Sequence, residues 1–268
     1  MACSEAFRDP IDLRGSPSSI NSEEGEACMR RTLLTALLAV AIAAIGLSAT
    51  TGSAASRLRQ DPNHKVTNSS STNWSGYAAT GSKFTSVSSS WTEPTVLCSG
   101  TAYSSFWVGI DGDTSSTVEQ TGTSADCSGS TPQYYAWYEM YPKYPTNLSN
   151  PVSPGDSISA SVTTDGVGRF TLTISDSTQH WTYQTTQRLH SAALASAEVI
   201  AEAPSSRSGV LPLANFGTVS FGSSTANGAS LASAPNLDPI TMVSGSTVKA
   251  QPSSISSNGS FSVSWKHS

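Results

Sequence analysis

The sequence predicts an all-β protein, an antiparallel β-sandwich or barrel. Three observations carry this. Short segments alternate apolar and polar residues with a period of two: Ile158, Ala160 and Val162, then Phe170, Leu172 and Ile174, then Phe261, Val263 and Trp265. Gly, Pro, Asn and Ser punctuate the chain between such segments, as turns require. After Ala55 no long stretch keeps the 3.6-residue period of an amphipathic helix; residues 189–201 come nearest, and Ser and Val dilute them.

In chain order, residues 1–28 read as an upstream extension outside the fold. Residues 29–55 read as a signal peptide: Met29-Arg-Arg-Thr, then a nearly unbroken apolar run over 33–47, then small residues ending Ser53-Ala54-Ala55. The run is short for a membrane span, which needs about 20 apolar residues. An uncleaved anchor is the alternative. Residues 56–72 are polar and read as a linker or short propeptide, and residues 73–268 as the folded domain. Within it, strand-like runs are expected at 84–91, 102–110, 133–141, 156–163, 169–175, 181–187, 197–202, 218–221, 240–243, 247–251 and 260–265.

The 268 residues carry 14 Lys/Arg and 19 Asp/Glu. Ten basic and thirteen acidic residues follow Ala55, with no basic patch, which argues against a nucleic-acid partner. So few charges leave little self-repulsion once the carboxylates are protonated in acid. Of four cysteines, Cys3 and Cys28 precede the expected mature chain. Cys98 and Cys127 remain, an even pair in an exported protein, and are expected to form a disulfide bracing the segments around Trp107. His64, His180, His190 and His267 show no metal-ligand spacing, so neither a metal nor a cofactor is expected.

Three stretches could carry chemistry. The first, 107–122, opens as an apolar strand, contains Gly109, Gly112 and Gly122 as expected breaks, and gathers Asp111, Asp113, Glu119 and Gln120. Taken alone it also fits a turn region. In the second, Tyr134-Tyr-Ala-Trp-Tyr-Glu-Met-Tyr141, alternation sends Tyr135, Trp137, Glu139 and Tyr141 to one face. An aromatic floor with one acid suits an extended peptide or a sugar; plain cross-strand aromatic packing is the alternative. In the third, Ala197-Glu-Val-Ile-Ala-Glu202, Glu198, Ile200 and Glu202 share a face. Like charges there raise a pKa if water is excluded, and an exposed strand edge is the alternative.

Together these motifs, from Asn73-Trp-Ser-Gly76 to Phe216-Gly-Thr-Val-Ser-Phe221, resemble the glutamic peptidases, the eqolisin family of fungal and bacterial acid endopeptidases. The resemblance implies an antiparallel β-sandwich of two sheets, a lectin-like jelly roll. It also implies a catalytic pair at Gln120 and Glu202, and a substrate cleft including Trp107, Asp111, Trp137 and Glu139. There are departures. Ser124 stands where fungal members have an Asp, with Asp126 two residues on. Tyr135 replaces an acid, and Pro204 an aromatic residue.

The chemistry such a pair would perform is direct. Ionised Glu202 takes a proton from a water that attacks the scissile carbonyl, Gln120 donates to the developing oxyanion, and protonated Glu202 then protonates the leaving nitrogen. The expectation is a secreted, monomeric acid endopeptidase acting on proteins or peptides, with no stable membrane association after signal removal. A glycoside hydrolase using Glu139 and Glu202, or a non-catalytic carbohydrate-binding sandwich using Tyr135, Trp137 and Tyr141, are the rivals.

Overall fold

In the computed structural model, residues 58–67 and 69–268 are described; the upstream extension and the signal-like segment lie outside them. Among the described residues the regular structure is nearly all antiparallel strand, with one 3-10 turn at Leu231–Ser233. A front sheet runs, edge to edge, through Asp238–Ser244, Trp74–Thr80, Ser196–Glu202, Ser105–Ile110, Val118–Ser128, Thr131–Tyr141 and Thr146–Asn147. A back sheet runs through Thr247–Pro252, Phe261–Trp265, Thr218–Ala226, Ser86–Thr92, Ser157–Thr164, Arg169–Asp176 and Trp181–Arg188. Asp238–Ser244 joins the two: Asp238–Ile240 pair with Trp74–Thr80, and Met242–Ser244 with Thr247–Pro252.

Period-two alternation does the packing. Phe106, Val108, Ile110, Val199 and Ala201 point from the front sheet into the same core as Val87, Ile158, Val162, Leu172, Val219 and Val263 from the back sheet. The opposite face of the front sheet carries a smaller cluster of Trp74, Ala78, Trp107, Val118, Trp137, Ile200 and Ile240. Tyr135 and Tyr141 pack on that cluster, whereas Tyr134, Ala136, Tyr138 and Met140 belong to the core, as the alternation predicts.

Three local expectations are corrected. Gly109 and Gly122 do not break strands; each lies inside one. A Cβ on Gly109 would sit 2.8 Å from the Trp107 ring, and one on Gly122 would sit 2.1 Å from the Phe106 carbonyl oxygen and 2.5 Å from Trp107 Cβ. The two glycines make room for Trp107. Second, Val118–Ser128 is a continuous eleven-residue strand, buried along nearly its whole length. Third, Ser196–Glu202 is an interior strand, paired on both sides, not an edge.

The described residues of the stretch expected as a linker or short propeptide are held closely to the domain. Leu58 and Gln60 are buried, Arg59 makes an antiparallel bridge to Ser205, and Lys65–Thr67 pairs with Ser70–Ser71. Cys98 and Cys127 form the disulfide, with Cα atoms 5.3 Å apart. Cys127 lies within the Val118–Ser128 strand, so the bridge ties the 98–102 loop to a strand end.

Two stability predictions follow from these contacts. Replacing both Cys98 and Cys127 by Ala reopens a loop of sequence separation 29 and should cost about 3–4 kcal/mol in urea unfolding, by a model-dependent loop-entropy argument. Gly122→Ala should cost about 3 kcal/mol or more, because the obstructing atom is backbone in a paired strand. An unchanged unfolding midpoint in either variant contradicts the corresponding account.

Candidate active site

Cross-strand register sets out the front face in rows. Directly opposed residues share a face, so Trp74, Glu202, Ser105, Ser124 and Tyr135 form one row across five strands. Ile200, Trp107, Gly122 and Trp137 form the next. Glu198, Gly109, Gln120 and Glu139 form a third. The register therefore puts Gln120, Glu139, Glu202, Trp107 and Trp137 on one surface, with the tryptophan row between the two polar rows.

Each polar group there is oriented by a specific neighbour. Trp107 Nε1 donates to Glu202 Oε2 at 2.8 Å, and the Trp107 ring meets Trp74 edge-on at 4.9 Å. Asn73 Nδ2 lies 3.4 Å from Glu202 Oε1. Gln120 Nε2 donates to Glu139 Oε2 at 3.1 Å, which fixes the amide with its donor end toward that carboxyl. Trp137 Nε1 donates to Ser124 Oγ, which in turn meets Ser105 Oγ at 2.9 Å.

An extended piece of the chain itself lies over this surface. Gln120 Nε2 donates to the backbone carbonyl of Gln60 at 2.8 Å, and Gln60 N donates to Glu139 Oε2 at 3.1 Å. The Asp61 carbonyl accepts from Trp74 Nε1 at 3.0 Å and from Asn73 Nδ2 at 3.3 Å. Further along, Asn63 and Lys65 both bond the Asp113 carboxylate. Under this cover Gln120, Glu139 and Glu202 are fully buried.

Burial governs the proton affinity of these acids. Loss of hydration pushes Glu202 well above the usual carboxylate range; the nearby charges of Asp61 and Glu139 add to this, while the bonds from Trp107 and Asn73 oppose it. Glu139 is likewise raised by burial, against the bonds from Gln60 N and Gln120.

The structure does not bring Asp111 to this group. Its carboxylate accepts the backbone amides of Leu194 and Ala195, both at 2.8 Å, and its φ of 73° places it in a turn beyond the strand end. There it belongs with Asp113, Glu119 and Glu198, whose carboxylates interact. Asn73, Trp74, Ser105 and Gln60 were not expected at the site. Only the Asn73-Trp74 motif offered a signal, because Gln60 lies in a stretch that reads as a linker or short propeptide. Asn73 heads an Asn-X-Ser glycosylation sequon, but its fully buried side chain also accepts from His64 N and Ser71 Oγ.

A β-sandwich that presents a glutamine amide and a buried glutamate to an extended peptide has the architecture of a glutamic peptidase. Residues 72–265 match the Peptidase A4 family, and the chain belongs to that family, the eqolisin glutamic peptidases. It is 41% identical to scytalidopepsin B of Scytalidium lignicola over 104 residues, which is 37% of this chain and 39% of that protein. It is 30% identical to aspergillopepsin-2 of Aspergillus niger over 179 residues, 56% of this chain and 62% of that one. These alignments thus span less than two thirds of either curated relative. The fold is similar to that of scytalido-glutamic peptidase, whose crystal structure holds a transition-state analog inhibitor: TM-score 0.64, 28% identity, covering 73% of this chain and 98% of that one.

The acids also make stability depend on pH. Ten of the thirteen carboxyl residues after Ala55 are buried, and Lys65–Asp113 is the one ion pair to a buried carboxylate among the described residues. Burial pushes Asp126 up to about 7, Glu93 to about 8 and Glu119 to about 9. The folded state therefore holds protons that the unfolded chain releases near its ordinary carboxylate range. The resulting stability is complete below about pH 4 and is lost as pH rises toward 7–9. Unfolding midpoints in urea should fall steadily from pH 4 to pH 8; a maximum near neutrality contradicts this.

Proposed function

We propose that the protein is a secreted acid endopeptidase in which Glu202 and Gln120 hydrolyse peptide bonds through an activated water. The observation that carries this reading is the bond from Gln120 Nε2 to a backbone carbonyl, on the face to which Glu202 also points. A carbonyl held there has a donor where negative charge develops during attack. The named relatives, peptidases of the same family, support it.

In this mechanism Glu202 must be ionised to accept the proton of the attacking water. Trp107 and Asn73 stabilise its anion, while a charge on Glu139 destabilises it. A protonated Glu139 therefore favours an ionised Glu202. Glu139 also positions the Gln120 amide. Trp107 and Trp137 form the floor and exclude water, which strengthens the electrostatic interactions above them.

Glu202→Gln keeps the shape and removes the base, so hydrolysis of acid-denatured protein should disappear while the fold persists. Gln120→Ala should lower kcat by about 100- to 1,000-fold. Glu139→Gln should shift the alkaline limb of kcat/KM upward and spare the acidic limb. The test is a kcat and KM series against a denatured protein from pH 2 to 7. Wild-type turnover by a folded Glu202→Gln overturns the mechanism.

A further inference from the structure

We propose that Ser105 and Ser124 determine the specificity of this cleft, selecting an uncharged side chain that ends in a hydrogen-bond donor, glutamine foremost, on the residue whose carbonyl is attacked. The proposal rests on the peptidase reading above and adds a substrate class to it.

The pocket follows from the register. Ser105 lies opposite Glu202, Ser124 opposite Ser105, and Tyr135 opposite Ser124, so two hydroxyls stand on the cleft face beside the proposed base. Both are fixed. Trp137 Nε1 donates to Ser124 Oγ at 3.0 Å, and Ser124 Oγ meets Ser105 Oγ at 2.9 Å. The Ser124 oxygen is thus occupied by the indole and by Ser105, which leaves Ser105 Oγ to accept from an arriving donor. Gln60 shows the fit. Its carbonyl is the one that Gln120 holds, and its buried side chain donates from Nε2 to Ser105 Oγ at 3.1 Å. Ser124 and Tyr135 are two of this chain's departures from the fungal pattern, so the pocket is particular to it.

The surroundings disfavour charge. Asp126 follows Ser124 on the same strand face, but one of its oxygens accepts from the Tyr135 hydroxyl at 2.7 Å and the other from Ser104 N at 3.2 Å. Burial pushes this acid up to about 7, so it is neutral in acid. Tyr135 and Tyr103 beside it are neutral phenols, their pKa values raised by burial. An ammonium in the pocket would meet one anion, Glu202 itself, and pairing would lower the basicity that water attack requires. A carboxylate there would repel Glu202. Leucine fills a similar volume but leaves Ser105 Oγ without its donor. A glutamic acid side chain is accepted only while protonated, when its O–H replaces the amide donor.

The test is kcat/KM of the full chain in acid on four peptides that differ only in the residue before the cleaved bond: Gln, Glu, Leu or Lys. Products are mapped by mass spectrometry, and a denatured protein is digested alongside. Gln should exceed Leu and Lys by about tenfold or more. The Gln-to-Glu ratio should rise about tenfold between about pH 3 and pH 5.5, as the substrate carboxyl ionises near its ordinary value. The enzyme's own pH dependence cancels in that ratio, which is read on the unmodified chain. Ser105→Ala should erase the preference for Gln over Leu. Ser124→Asp, which puts a carboxylate beside Ser105, should raise Lys relative to Gln by about tenfold at the higher pH. Equal rates on Gln, Leu and Lys, a Gln-to-Glu ratio indifferent to pH, or a Gln preference that survives Ser105→Ala overturns the proposal and leaves the peptidase reading intact. So does digestion of the denatured protein with the Gln peptide left uncut. Failure to hydrolyse both the peptides and the denatured protein overturns the peptidase reading, and this proposal with it.

Discussion

The hydrogen bond from the Trp107 indole to Glu202 is the contact on which the rest of the site depends. It requires the ring to lie along the sheet, and that requires bare backbone at Gly109 and Gly122. The ring then supplies an apolar floor, an edge-on partner for Trp74 and a fixed donor for one carboxylate oxygen. Trp74 and its neighbour Asn73 hold the backbone that crosses above. A Cβ at either glycine would disturb the floor and the proposed general base together.

A second constraint runs through the whole molecule. The interior holds many carboxyl groups and few cations to neutralise them. Glu93 lies in the core against Thr123 and Trp91, Asp126 accepts from Tyr135 and Ser104, and Glu198 has no hydrogen-bond partner on either oxygen. An uncompensated buried carboxylate is costly, whereas the protonated acid is tolerable. Acid is thus the condition under which this core is cheapest to assemble. It is also the condition that leaves Glu139 uncharged beside Glu202.

The fold was legible wherever one face of a strand met the core and the other met water, as in Ser157–Thr164 and Arg169–Asp176. It was illegible where both faces are buried and polar. Val118–Ser128 shows no apolar alternation because Gln120, Gly122 and Ser124 face the cleft while Thr121, Thr123 and Cys127 fill the other side. At the site, Gln120, Glu202, Trp107, Trp137 and Glu139 were readable from motifs, and parity along each strand then put them on one surface. Asp111 was misplaced because its motif neighbours lie in the strand, while its own positive φ turns it out of line. The roles of Gln60 and Asp61 depend on long-range contacts, and a polar stretch with no periodicity gives no hint of them. The non-catalytic carbohydrate-binding reading relied on an aromatic face at Tyr135, Trp137 and Tyr141, but Trp137 is fully buried and bonded to Ser124.

The central claim is that one surface, built by Trp107, holds a peptide carbonyl against Gln120 within the working range of Glu202. The most direct measurement is a crystal structure of the Glu202→Gln chain grown at acid pH with residues 58–67 present. The account predicts continuous density through Gln60 and Asp61, with the Gln60 carbonyl oxygen on Gln120 Nε2 at the 2.8 Å described here. A cleft free of this segment, or one in which Gln120 turns its amide away from the bound backbone, would contradict it.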